Sequence, residues 1–507
     1  GSRELLLAGM DSVRRSARSA CVAPPCSLGL AQDAYSSSLV LRDSMFKPTV
    51  LVIHALRPTS RKTTIDHLLA FREHLPNADV QYLHFAQPLP SDIADGVAPD
   101  LLVVNYDYLN YRFSPLWPYI KNRHRDIARR AGRVVAIAQD DFWAHRLLDN
   151  WCVSWDVDRV LTPIDNDVEV LYPRTSKRAE FCTVLTGYAP SRAYDTAPLH
   201  ERPIDLGQRV RMMPPHLGKY AQEKADQAVC LAAAARNSGF IVDVSTRVED
   251  SLLGDAWPRF LRQCKFTVGM KGGASIADPY GLLYNKVESY RHRHPNSTLT
   301  TEMFTFLNRR DKKYKFSAIS PRLFEAAAEG VCQILRPDDY LGVLEPGKHY
   351  IPLNDDFSNV NSVLAAMTDL DRASIIIEEA RKALIDSGRF GYQHLVSAAC
   401  NNMFDAITPS SQALWETMKE WLRYSATLSD PRDHPLHDSA LFLIHESLGS
   451  GVSELAERSI RQRLRDRNLT SWFNTMNEAM QSDPIVRRMP WIPRLIAVTS
   501  DSSAVVD

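Results

Sequence analysis

The chain has 507 residues, 24% of them charged, and its 60 basic and 60 acidic side chains cancel. Balanced charge supplies no strong field for nucleic acid and points to small molecules or lipid-linked acceptors recognised locally. A chain of this length makes about two to four domains with ample buried core.

The eight cysteines are scattered, with no C-x-x-C pair and no Cys/His metal spacing. Cys152, Cys182, Cys230, Cys264 and Cys332 lie in or beside apolar runs, the pattern of reduced core thiols in a cytosolic protein. No stretch is apolar over the length of a membrane span.

Residues 1–47, rich in Ser, Ala, Arg and Pro, read as an N-terminal extension. The opening Gly1-Ser2 has the look of a cloning scar, and the missing initiator Met fits a piece of a longer chain. Strands are predicted at Thr49–Leu56, Val80–Phe85, Asp100–Asn105, Arg133–Ala138, Arg159–Thr162 and Cys182–Thr186, with a helix at Thr64–His74. Continuous apolar strands alternating with helices predict a parallel sheet covered on both faces. Ligands of such sheets sit beyond the carboxyl ends of strands, which singles out His54 and Arg57, Asn105–Asp107 and Gln139–Asp141.

The second half repeats the grammar. A short strand at Ile204–Leu206 precedes an Ala-rich helix over Leu217–Ala235, then come a strand at Phe240–Val244, a helix at Trp257–Gln263 and a strand at Lys265–Gly269. A double glycine, Gly272–Gly273, opens a long polar excursion from Asp278 to Lys315. Next are a helix carrying Glu325, strands at Cys332–Leu335 and Tyr350–Leu353, and helices at Val360–Met367 and Arg372–Asp386. Residues 401–507 read as an added helical region. The division is thus 48–195, 196–400 and a tail.

The stretch SPRLFEAAAEG, Ser320 to Gly330, carries the most chemistry. Pro321 suits a first helical turn, Phe324, Ala327 and Ala328 form an apolar stripe, and Gly330 is a stop. A helix start at Ser320 beside Arg322 can hold phosphate, and Glu325 one turn in can accept hydrogen bonds from a ribose diol. Equally, Glu325 can be a solvated residue of a buried helix.

SPRLFEAAAEGVCQIL followed by GVLEPGKHYIPLNDDFSNVNSVL resembles the carboxy-terminal half of GT-B glycosyltransferases of the CgeB-like, group 1 type, in element order from about Asp205 to Phe390. The resemblance implies two Rossmann-like domains facing across a cleft, 48–195 on the acceptor side and 196–400 binding the nucleotide-sugar. It also implies that Glu325 matches the second, ribose-binding carboxylate of Glu-x7-Glu; Ser317 stands where the first would be.

The resemblance also implies a basic residue on the donor diphosphate after the first strand of that half. Arg209 and Arg211 are favoured there over Lys219 and Lys224, since guanidinium gives bidentate contact; a solvated basic face is the other reading. Gly272 and Gly273 with Lys271 could cradle phosphate or form a tight turn. On the acceptor side Asp140 and Asp141 are candidates for a general base, or for a helix cap, and Trp143 could stack a sugar. His54 is a further catalytic candidate, though a satisfied core histidine would look the same.

Lys121–Arg133 reads as an amphipathic basic helix, either a membrane-docking face or an ordinary exposed helix. Tyr290–Pro295 reads as an anion contact or a wet loop, and His434, His437 and His445 lack a zinc arrangement.

The reading is a cytoplasmic, metal-independent glycosyltransferase needing no cofactor. It would move sugar from a nucleotide-sugar to a glycan or lipid-linked acceptor, in the context of bacterial surface polysaccharide (lipopolysaccharide) synthesis, with peripheral contact at the inner face of the membrane. Two alternatives keep the fold: a nucleotide-sugar epimerase, and a non-catalytic module of a glycan-assembly protein.

Overall fold

The computed structural model describes residues 48–400, except 57–59, 86–95, 97, 115–116, 192, 253–255, 295–300 and 312. The N-terminal extension, Arg57 and the C-terminal helical region, with His434, His437 and His445, lie outside the described residues.

The first half is a six-stranded parallel sheet of β1 (Thr49–His54), β2 (Asp79–His84), β3 (Leu101–Val104), β4 (Arg133–Ile137), β5 (Arg159–Thr162) and β6 (Glu180–Thr183), in the order β2-β1-β3-β4-β5-β6. Its apolar runs serve two cores at once. Leu51, Ile53, Leu102, Val104 and Ala136 face one, while Val50, Val52, Leu101, Val103 and Val135 face the other. Strict alternation of side chains about each strand splits a continuous hydrophobic run in this way. Helix α1 (Lys62–His74) covers the second core with Leu68, Leu69 and Phe71.

The second half is a five-stranded parallel sheet of β7 (Ile204–Arg209), β8 (Val242–Ser245), β9 (Cys264–Gly269), β12 (Cys332–Leu335) and β13 (Ile351–Pro352), ordered β13-β12-β9-β7-β8. Counted along its own half, this is the strand order of the first sheet again, lacking only the sixth strand. The two Rossmann-like halves expected from the sequence are therefore present. In each, the order reverses beside the first strand, between β1 and β3 and between β7 and β9, and crevices for ligands open there.

Two departures concern the connections. The polar excursion is not a loop: it holds helices Leu282–Arg293 and Thr301–Asn308. Leu283, Val287 and Tyr290, spaced as one helical face, pack with Phe306, Leu307 and Ile276. Tyr290–His294 accordingly falls at a helix end. In contrast, the amphipathic helix expected over Lys121–Arg133 is helical only at Arg125–Arg130. His124, Ile127 and Ala128 are buried and Arg125 donates to the Ser154 carbonyl at 3.1 Å.

The halves are tied along one side. Leu217, Ala221, Ala274 and Phe316 of the second half join the core of the first. The backbone of Asp278 pairs with Phe142 and Ala144, at 3.0 and 2.7 Å. The last described helix, Gln393–Cys400, returns to the first half, packing Leu395, Val396 and Ala399 against its sheet.

Candidate active site

A recess of about 420 Å³, counted to its open mouth, lies at the strand reversal of the second sheet. Its floor is the carboxyl end of β9 (Thr267–Met270), with Gln208 from β7 and Leu335 from β12. Its walls come from three helices: α2 (Lys219–Asn237) gives Lys224, α3 (Ala256–Leu261) gives Trp257, and α4 (Arg322–Ala328), with the turn before it, gives Ser320 and Arg322.

Charge in the recess is unbalanced. Among the described residues no ion pair engages Lys224 or Arg322. Burial, with the nearby Arg322, brings the Lys224 amine down to about 7, and burial brings Arg322 down to about 10, in both cases against the opposing pull of Glu325. Two cations held close together in a dry wall are what an anionic ligand would repay. Arg322 also donates to Gln208 Oε1 at 3.3 Å and lies over the Trp257 ring at 4.9 Å.

Glu325 is one turn beyond. Its Oε2 accepts the Trp257 indole N–H at 2.7 Å. Burial raises its carboxyl above the usual range, while the Trp257 hydrogen bond and the Arg322 charge pull it back. With one oxygen fixed by a rigid ring, the other is free of protein hydrogen bonds among the described residues.

Across the cleft stands Asp140, three residues past the end of β4. It has a left-handed backbone, φ +53, tolerated by Asp but uncommon for any side chain. Buried Arg112 holds it there. Its Nη2 donates to the carbonyls of Gln139 and Asp140, both at 2.8 Å, and its Nε to that of Trp143 at 3.2 Å. The Asp140 side chain is reached by solvent along the cleft yet walled by protein elsewhere. That dehydration lifts its carboxyl above the ordinary value, against the pull of Arg112 and Arg61. Trp143, three residues on, stacks on Phe113 at 4.2 Å and meets His216 and Tyr284.

Several candidates from the sequence are taken up by structure instead. Asp141 is fully enclosed, and its Oδ2 accepts from Thr162 at 2.6 Å and Tyr172 at 2.5 Å, so it props the loop and reaches no substrate. His54 is 2% exposed, accepts the Leu56 N–H at 3.1 Å and packs on Tyr82 and His84; burial holds it neutral. Arg209 is locked to Asp243 of β8 and stacked on Phe260 at 4.3 Å. Arg211 is exposed outside the recess, near Tyr284. Lys271 pairs with Asp338 at 3.2 Å.

Gly272 and Gly273 form a strand, β10 (Gly272–Ala274), paired antiparallel with β11 (Phe316–Ala318). A side chain on Gly273 would run into the Phe316 carbonyl oxygen, 1.8 Å from its Cβ, so this glycine serves close strand approach and not a phosphate turn. Of the donor-side candidates, Ser320, Arg322 and Glu325 are the ones brought together.

Lys224, favoured less than the arginines in the sequence, lines the recess, whereas Arg209 and Arg211 do not. The signal was present: Lys224 sits three residues after Ala221 and four before Ala228, on the buried stripe of α2. Trp257 is 68 residues from Glu325, and nothing local marks the pair.

No family model and no curated protein matches the chain. Similar solved structures include Anabaena HepE in complex with UDP-glucose, 11% identical over 70% of this chain and 99% of that one, TM-score 0.39. An alpha1,3-fucosyltransferase is 9% identical over 72% and 94%, TM-score 0.34. Sucrose-phosphate synthase from Thermosynechococcus elongatus is 11% identical over 76% and 100%, TM-score 0.34. Likeness at this level assigns no function, which has to be argued from the site itself.

Proposed function

We propose that the protein transfers a sugar from a nucleotide-sugar to a hydroxyl of a glycan or lipid-linked acceptor. The observation that carries the reading is the pair of cations without an ion-pair contact among the described residues, Lys224 and Arg322, lining a recess at the strand reversal with the tethered carboxylate Glu325 beside it. Glu325 accepts from the ribose diol, and the cations hold the diphosphate.

As the bond from the anomeric carbon to the phosphate oxygen breaks, negative charge grows on the leaving diphosphate. Fixed cations in a dry wall stabilise that charge without rearranging. On the opposite wall Asp140 takes the proton of the acceptor hydroxyl as its oxygen bonds to the anomeric carbon, giving an inverted product. The elevated carboxyl of Asp140 makes it a stronger base than an ordinary aspartate.

The proposal extends to an acceptor delivered at a membrane and to a role in surface polysaccharide synthesis. Among the described residues no helix is long and apolar enough to cross a membrane, and within Lys121–Arg133 the helix spans Arg125–Arg130.

The test is release of nucleoside diphosphate from a panel of nucleotide-sugars, with and without simple glycoside acceptors, by the native protein and Asp140→Asn. Acceptor-stimulated release that collapses in the variant supports the reading. A native protein that interconverts the donor without acceptor, or turns over none of the panel, refutes it.

A further inference from the structure

The recess belongs to the second half, and the first half comes up to the edge formed by Ser320 and Arg322. Gly187, on the crossover between the halves, is the meeting point. A Cβ there would lie 2.9 Å from Pro321 Cβ and 3.3 Å from Thr63 Cγ2, so the starts of α4 and α1 flank one glycine. Arg322 follows Pro321, and Arg61 precedes Thr63 by two residues, which sets these arginines on facing sides of a narrow gap.

Arg61 is exposed, and among the described residues it has no ion-pair partner, whereas its neighbour Lys62 is held by Asp66 at 2.6 Å. It acts electrostatically on Lys224, Arg322, Glu325 and Asp140 together, disfavouring the charge on both cations. Arg61 adds to the positive charge of Lys224 and Arg322, which Glu325 offsets in part, and the three cations suit a multiply charged anion between the walls.

We propose that Arg61, contributed by the acceptor half, binds the phosphate of the donor farther from the nucleoside, and so makes the site selective for nucleoside diphosphates over monophosphates. The inference rests on the donor-site reading above. With the nucleoside on the strand ends and the nearer phosphate on Lys224 and Arg322, the next phosphate emerges at the mouth, where Arg61 stands. There its guanidinium can take two phosphate oxygens.

The experiment is calorimetric titration of the nucleoside diphosphate that binds the native protein, and of the matching monophosphate, into native protein, Arg61→Ala, Arg61→Lys and Lys62→Ala. The native protein should prefer the diphosphate. Arg61→Ala should lose at least tenfold of that preference with monophosphate binding unchanged, Arg61→Lys should keep part of it, and Lys62→Ala, with the same change in charge, should keep all of it.

An unchanged ratio in Arg61→Ala, or equal losses in Arg61→Ala and Lys62→Ala, overturns the assignment while leaving the donor site standing. A native protein that binds no nucleotide overturns both. Arg61 is at the surface, so these variants should fold as the native protein does.

Discussion

Replacing Lys224 by Met should stabilise the empty protein while disabling it. The change keeps the length of the stem and removes the charge. A fall from 10.5 to about 7 means, at about 1.36 kcal/mol per unit, that holding the amine charged in the fold costs up to about 5 kcal/mol. Solvent reaches the amine from the cleft and screens part of this, so about 1–3 kcal/mol is expected.

The direction with pH follows from the two protonation states. Below about pH 7 the lysine is charged folded and unfolded, and the whole penalty bears on the fold. From about 7 up to 10.5 the unfolded chain holds the extra proton, so native stability gains with rising pH; above that the penalty is gone. Urea unfolding followed by tryptophan fluorescence at pH 6, 8 and 10 should show the variant ahead by about 1–3 kcal/mol at pH 6, with the gap closing by pH 10. A variant less stable at pH 6, or a gap indifferent to pH, would show that the amine is paired or well solvated, and the argument for an anion site would fail. The trade of stability for a charged site is common at functional centres.

Asp140→Asn should lower turnover by about 10²–10⁴-fold and leave nucleoside diphosphate affinity unchanged. Because the protein around it strips water from this carboxyl and raises it, the native rate should fall with decreasing pH through a value above the ordinary aspartate range, and a rate flat down to pH 4 would remove Asp140 as base. Trp257→Phe removes the N–H on Glu325 Oε2, so the Glu325 carboxyl rises further and nucleotide affinity drops several-fold, most at acid pH; equal affinity at pH 5.5 and 8 would count against a ribose role. Gly273→Ala places a Cβ 1.8 Å from the Phe316 carbonyl oxygen at φ +146 and should cost more than about 3 kcal/mol; an unchanged melting temperature would mean that the ribbon gives way easily.

The strands were legible because buried parallel strands are continuous apolar runs: TVLVIH, LLVV and CQIL stand out unaided, and Arg159–Thr162 and Cys332–Leu335 match their expected bounds. The helix bearing Glu325 was legible from its start and stop residues. The cations were not. Arg209 and Lys271 look like phosphate ligands in sequence, but their carboxylate partners, Asp243 and Asp338, arrive from 34 and 67 residues away and neutralise them. Lys224 was hidden for the opposite reason, as its lack of a partner is visible only in three dimensions. Asp140 and Asp141 are adjacent and alike in sequence. The left-handed turn at Asp140 sends one to the cleft and the other to Thr162 and Tyr172.

The central claim is that a nucleotide occupies the recess between Lys224, Arg322 and Glu325. The direct measurement is thermal unfolding of the native protein, Glu325→Gln and Lys224→Met with UDP, GDP, CDP, CMP, ADP and dTDP. A ligand at 100 times its Kd stabilises the fold by about 2.7 kcal/mol, a readable shift. The account predicts that one base stabilises the native protein and that both variants lose most of that gain. Stabilisation equal in all three proteins would place the nucleotide elsewhere, and no response to any of the six would contradict a donor site in this recess.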